Sequence, residues 1–290
     1  MLWIPLVSSM SKLNVLIAYP YLKNEMLREL APLVESGNCR FLLDSGAFSC
    51  DTLGIKITVD DYCKFIDSLP VKPWRYFMLD VVGDPVGTVK NYELMLQRGY
   101  KPIPVFTRGS DWQIIEEYYK TTDCIALGGL VSMPLTKKRA FIATAMRHIN
   151  GRKVHWLGVT NDELVKKFKP YSCDSSSLSS AERFATMKLY MGRGKSVTIG
   201  KNGFKGKPDE KILRLIRSWG FSPSELAKSN SWINSGKQSR LHIQVNYHSF
   251  VAKMLDFEKH LGTRVFSAIG NEYQGTAICQ AFRKLSGCVC

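Results

Sequence analysis

Short runs rich in β-branched and aromatic residues alternate along this chain with longer stretches of helical period, which restricts it to the α/β class. Strands are expected at 15–19, 40–44, 76–80, 103–106, 124–127, 154–157, 171–174 and 197–199. Helices are expected between them at 24–35, 59–68, 85–98, 112–120, 134–149, 162–167 and 179–191. Thr58 ahead of Asp60-Asp61, and Asn161 ahead of Asp162-Glu163, have the chemistry of helix N-caps. Gly99 and Gly192 stand where left-handed helix stops belong. About eight strand–helix units close a (β/α)₈ TIM barrel. The expectation is such a barrel over 1–205, with a helical, basic C-terminal extension over 206–290. A doubly wound open sheet is the second architecture, because alternation does not reveal strand order. Past 199 the Gly- and Lys-rich run KNGFKGKP reads as a linker or basic loop, with helices at 210–219, 223–227 and 240–260 after it.

Charge narrows the partners. The 290 residues include 40 Lys and Arg against 25 Asp and Glu, a formal charge of +15. Such an excess concentrates polyanions near the surface, so nucleic acid is the expected partner. No stretch is apolar for long enough to span a bilayer. The apolar start, 1–9, has no basic leader and reads as a cap on the barrel floor rather than a signal peptide. Eight cysteines, most of them inside apolar runs, read as buried thiols in a reducing cytoplasm.

Catalytic groups in a barrel stand where strands end. Asp44 ends FLLDSGAF, Asp80 ends YFMLDVVGDP, Asp174 ends SCDSS, and Gly128-Gly129 end IALGGL. A carboxylate directly after an apolar strand is costly unless paired, and any one of these could be a turn or a cap. Three in corresponding places point to one face lined with carboxylates. Two paired carboxylates suit substitution at a sugar anomeric carbon, one as nucleophile and the other as proton shuttle. A third can accept hydrogen bonds from a base edge. The Gly-Gly pair lets backbone approach a flat ligand. Asp84 reads as a loop or cap residue, and His148 and His155 as helix and strand residues without a catalytic task.

At these segments the chain resembles the tRNA-guanine transglycosylase superfamily, and more narrowly the phage-type DNA transglycosylases that insert 7-deazaguanines into DNA. DSGAF at 44–48 is similar to the family's DSGGF, GGL at 128–130 to its GGL, and HWLGV at 155–159 to the strand before its nucleophile. The resemblance implies Asp174 as nucleophile and Asp44 as general acid/base. It implies that Ser45, Phe48, Asp80, Gly128, Gly129 and Leu130 contact the base, although a turn hydroxyl is the plain alternative for Ser45. The reaction it implies is attack of Asp174 on C1′, departure of guanine, and its replacement by a 7-deazaguanine base of preQ0 type, with no cofactor. Lys201, Lys205 and Lys207 are the expected phosphate contacts. Trp219, Phe221 and Trp232 are stacking candidates, with core packing the commoner role for such rings.

The departures bear on substrate. The tRNA enzymes have a glutamine near the fourth strand where this chain reads VFTRGS at 105–110, and a Pro-Thr-Arg run where SSSLSS comes after Asp174. They also have a zinc site of C-x-C-x-x-C and a later His. Here only Cys279, Cys288 and Cys290 with one of His242, His248 or His260 could supply ligands, in reversed order, so no metal is expected. A tRNA-guanine transglycosylase, a glycosidase using water, and a non-catalytic nucleic-acid-binding barrel are the competing readings. Oligomeric state is left open.

Overall fold

A computed structural model describes residues 11–176, 178, 184–206, 208–228, 232 and 241–287. The expected cap at 1–9, Lys207, Cys288 and Cys290 lie outside the described residues. In chain order the elements are β1 (Leu13–Ala18), α1 (Asn24–Glu35), β2 (Cys39–Asp44), α2 (Ala47–Leu53), α3 (Val59–Ser68), β3 (Arg75–Tyr76) and α4 (Pro85–Gln97). Next are β4 (Val105–Phe106), α5 (Ile114–Thr121), β5 (Cys124–Leu127), α6 (Leu135–Ile149), β6 (Lys153–Trp156), α7 (Asp162–Phe168) and β7 (Ser172–Ser175). Last come β8 (Thr186–Tyr190), β9 (Ser196–Gly200), α8 (Lys201–Lys205), α9 (Glu210–Ser218), α10 (Pro223–Ala227), α11 (Leu241–Leu261), β10 (Arg264–Ile269) and α12 (Glu272–Ser286). The expected caps form: Thr58 and Asp61 make a reciprocal capping box, Asn161 accepts from Leu164 N–H, and Asp84 caps α4 through Gly87 N–H.

Eight strands make one parallel sheet in the order β3-β2-β1-β10-β7-β6-β5-β4. The sheet curls. Phe77, just past β3, and His155, on β6, belong to strands five places apart, a separation of about 24 Å in a flat sheet. Their rings nevertheless stand 4.9 Å apart, and Phe266 on β10 meets His155 at 6.0 Å from a third side. The two end strands share no ladder. One parallel bridge, Phe77 to Ile103, joins the residues beside them, with Ile103 N–H donating to Tyr76 O (2.8 Å) and Met78 N–H to Ile103 O (3.0 Å). β4 itself is only two residues long because Pro102 and Pro104 cannot donate to a neighbouring strand.

Two expectations are corrected. Residues 197–199 are not the eighth strand of the sheet: β9 pairs antiparallel with β8 in a separate hairpin. The place between β1 and β7 is filled by β10 from the C-terminal segment, with Val15 opposite Ser267 and Phe266 opposite Asp174. Burial explains the choice. A strand inside a sheet covered on both faces must be apolar on both. Val265, Phe266 and Ile269 are almost wholly buried, whereas Val197 is 42% exposed. A division after residue 205 therefore does not separate the sheet from the C-terminal segment, which supplies one of its central strands.

The helix expected over 179–191 is also wrong at its end, where Thr186–Tyr190 form a strand. Met187 and Leu189 point inward while Lys188 is exposed, a period of two. Side chains of α11 complete the edge of this strand: Asn246 accepts from Lys188 N–H (2.8 Å) and donates to Thr186 O (2.8 Å). Ser249 accepts from Tyr190 N–H (2.7 Å) and donates to Lys188 O (2.7 Å). Gly192, with φ of +88°, thus turns a hairpin instead of ending a helix. The helix α11 itself is buried on nearly all sides, so the C-terminal segment is part of the core. The six described cysteines are buried with free thiols. Among the described residues no helix is long and apolar enough to cross a membrane.

Candidate active site

The C-terminal ends of the sheet strands surround a cavity of about 470 Å³. Asp44, at the end of β2, Asp80, in the segment that follows β3, and Asp174, on β7, all line it, together with Phe48, Gly128, Gly129, Gly158 and Ser176. From β10 come Ala268, Ile269 and Gly270. The three carboxylates expected at strand ends are therefore in one place.

Asp174 is the most tightly held of the three. It is 6% exposed. Gly158 N–H donates to its Oδ1 at 2.8 Å, and His155 Nε2 stands 3.1 Å from the same oxygen. His155 Nδ1 lies 2.8 Å from Ser172 Oγ. A carboxylate oxygen accepts, so Nε2 is the donor to Oδ1, while Nδ1 and the serine hydroxyl share the second hydrogen bond. Both donors sit on Oδ1, and Oδ2 has no hydrogen-bond partner among the described residues. The carboxylate is thus turned with one oxygen anchored and the other unengaged. His155, expected to be a plain strand residue, is on a strand but is the side chain that orients Asp174. Its signal was present in the alternation: residues 155 and 157 of β6 and its extension face one way, as 172 and 174 do on the adjacent β7. The adjacency of those two strands is a tertiary fact, given by His155 opposite Ser172 in the ladder.

Asp44 ends β2 beside Ala18. Its pKa is raised from 3.8 to about 7, first by burial, then by the charges of Asp80 and Asp174, against the opposing backbone N–H groups of Gly46 and Ser45. Burial likewise raises Asp80, while its hydrogen bond from Ser45 (3.2 Å) works in the other direction. The segment carrying Asp80 is tied to α4 on both sides: Asn91 donates to Leu79 O (3.0 Å) and Val81 N–H to Thr88 Oγ1 (2.9 Å).

The remaining expected contacts divide. Phe48 lines the cavity and is 66% exposed, free to cover a flat ligand. Gly128 and Gly129 also line it, and a Cβ on Gly128 would stand 2.7 Å from Val105 Cγ1. Leu130 is wholly buried in the core and is not part of the lining. Ser45 is wholly buried too; it donates to Asp80 and accepts from Ala47 N–H (3.4 Å), so it braces a carboxylate rather than facing the cavity. Lys201 and Lys205 lie on α8, away from the lining. Trp219 and Trp232 are buried, Trp232 stacked on His242 at 5.3 Å, and Phe221 packs against the core. Among the described residues, no group of three or more His, Cys, Asp or Glu is placed to hold a metal ion.

Gly158 combines a backbone and a packing requirement. Its φ is +67°, and an added Cβ would clash with Val131 Cγ2. Gly158→Ala is expected to lose about 1–2 kcal/mol from the left-handed backbone alone, read as a fall in Tm of several degrees. Val131→Ala in the same chain should recover the steric part and leave the backbone part. A variant as stable as the parent would show that this turn relaxes freely.

The sequence matches no protein-family model and no curated protein.

Proposed function

We propose that this chain is a DNA guanine transglycosylase on a (β/α)₈ barrel, exchanging guanine in DNA for a 7-deazaguanine base of preQ0 type. One observation carries the reading: a carboxylate with one oxygen anchored and one free shares a cavity with a second carboxylate whose pKa is about 7. A nucleophile and a proton shuttle at neutral pH need that division of labour. The motif resemblance at 44–48, 128–130 and 155–159 supports the same assignment.

In this mechanism Asp174 Oδ2 attacks C1′ of a deoxyguanosine residue. The C1′–N9 bond breaks, its electron pair leaves with guanine, and protonated Asp44 supplies the proton that guanine takes up. The product is a deoxyribosyl ester of Asp174. An incoming 7-deazaguanine then gives its N9 proton to Asp44, N9 attacks C1′, and the ester oxygen leaves as the Asp174 carboxylate. Two inversions restore the β configuration. One N-glycosidic bond replaces another, so the exchange needs no energy source. The target base must leave the stack to reach the cavity. In this reading Asp80, braced by Ser45, accepts from the amino edge of the base, and Phe48, on the cavity lining, covers its face. The net charge of +15, with Lys201 and Lys205 among its contributors, favours a polyanionic substrate.

The test is incubation with labelled guanine, or with a set of 7-deazaguanine bases, and either DNA or tRNA, with mass spectrometry of the nucleosides as the readout. Incorporation into DNA supports the reading. Incorporation into tRNA alone assigns the chain to the tRNA reaction, and release of guanine without incorporation makes it a glycosidase.

His155 acts through Asp174 as a positioning residue. His155→Ala is expected to lower kcat about 10–100-fold, the cost typical of losing one charge-assisted hydrogen bond, with KM nearly unchanged. His155→Gln, which can present an N–H near the same place, should recover part of that loss. Equal losses in both variants would reduce the histidine to a packing role.

A further inference from the structure

Among the described residues that line the cavity there is one cation, and the exchange chemistry gives it no task. Arg108 lines it from the loop after β4. Its position is set by a turn over 107–110, in which Ser110 N–H donates to Thr107 O (3.2 Å) and the Thr107 and Ser110 hydroxyls stand 3.4 Å apart. Gly109, at φ of +97°, takes the third place, where such a turn needs a positive angle. The backbone alone therefore holds Arg108 at the tip. Its side chain is exposed and makes no hydrogen bond or ion pair with any described residue, none of the three carboxylates included. Other arginines of the chain do pair: Arg40 with Glu258, Arg75 with Asp123, Arg98 with Asp60 and Arg152 with Glu116.

A cavity lined by carboxylates and by a guanidinium with no partner among the described residues suits a ligand that is itself divided. One end must carry N–H donors for the carboxylates, the other an oxyanion for the guanidinium, whose planar fork matches two oxygens of one phosphate. We propose that Arg108 binds the phosphate of the target nucleotide, so that the site selects a nucleotide over a free base or a nucleoside. The inference rests on the guanine-exchange reading of the site. An acidic substituent on an incoming base would offer the same oxyanion chemistry, and the experiment separates the two sources.

Binding is measured by calorimetry on the full chain carrying Asp174→Asn, which prevents turnover. The probes are guanine, deoxyguanosine, its 3′- and 5′-monophosphates, and a 7-deazaguanine with and without a 7-carboxylate. One monophosphate is expected to bind about tenfold tighter than deoxyguanosine, as one charge-assisted contact would give. Arg108→Ala should erase that difference and leave deoxyguanosine binding as it was. Arg108→Lys, which keeps the charge and loses the fork, should fall between. Equal affinity for nucleoside and both monophosphates overturns the inference while leaving the exchange reading intact, and so does a preference that survives Arg108→Ala. If the effect of Arg108→Ala falls on the carboxylated base alone, the phosphate assignment is overturned in favour of the base substituent. If no guanine compound binds, the exchange reading fails and this inference fails with it.

Discussion

Replacing Asp174 by Asn is expected to lower the proposed base exchange about 10⁴-fold or more, because an amide cannot form the glycosyl ester through which that reaction would pass. The fold should survive the change. The amide oxygen can still accept from Gly158 N–H and His155 Nε2, the two donors now on Oδ1. The substitution conserves volume in a site that is 6% exposed, so no cavity opens. The proposed DNA binding should persist as well, since it would depend chiefly on phosphate contacts rather than on this carboxylate. Three measurements check the prediction: nucleoside mass spectrometry for exchange, a binding isotherm for DNA, and denaturing electrophoresis for a covalent protein–DNA adduct. The adduct should form with the parent chain and be missing from Asp174→Asn. Full exchange by the variant, or an adduct that maps to another residue, would remove Asp174 from its assigned part.

Asp44→Asn is expected to cut exchange about 10²–10⁴-fold, the usual contribution of a general acid/base, and at the same time to stabilise the protein above neutral pH. The second effect is a consequence of linkage. Burial and the neighbouring carboxylates raise the pKa of Asp44 in the folded chain from 3.8 to about 7. Between those values the folded chain holds a proton that the unfolded chain has released, so stability falls as pH rises through the window. Stability from this group is complete below about pH 4 and lost by about pH 7, a few kcal/mol at most at about 1.4 kcal/mol per pKa unit. Asparagine does not titrate. The advantage of Asp44→Asn should therefore be small at pH 4, grow to pH 7, and stay level at pH 8, as read from urea unfolding at each pH. Single-turnover adduct formation by the parent should slow as pH rises through about 7, where Asp44 loses the proton that it gives the leaving guanine in the proposed mechanism. A stability difference independent of pH would mean that Asp44 ionises normally, and the proton shuttle would then need another owner.

Depth and neighbours set the electrostatics of the site. Asp44 and Asp80 both carry a raised pKa chiefly through burial, with neighbouring carboxylates adding to it at Asp44, whereas Ser45 and the backbone of Gly46 work against that rise. A site that keeps one carboxylate protonated near neutrality and another oriented by two donors stores unfavourable electrostatics within the fold. The core beneath, from β1 to the buried helix α11, is what sustains it.

Local pattern alone was enough to place most helices, from α1 at Asn24–Glu35 to α10 at Pro223–Ala227, and to mark Asp44, Asp80 and Asp174 as strand-end carboxylates. These features depend on residues within a few positions of one another: periodicity, a capping side chain, an acid after an apolar run. The identity of the central strand did not yield to such reading. SVTIG and RVFSAI are both short β-prone segments, the second the more apolar, but that it lies between β1 and β7 while the first forms a hairpin is a fact of the chain's return to that place. The same limit governs the site. That His155 would reach Asp174, that Ser45 would turn to Asp80, and that Arg108 would be left without a partner among the described residues are facts about strands and loops far apart in sequence. Side-chain chemistry and its local setting were set by the order of residues, whereas the partner each side chain meets was decided by strand order, because hydrogen bonds and charges act over a few ångströms of space whatever the distance along the chain.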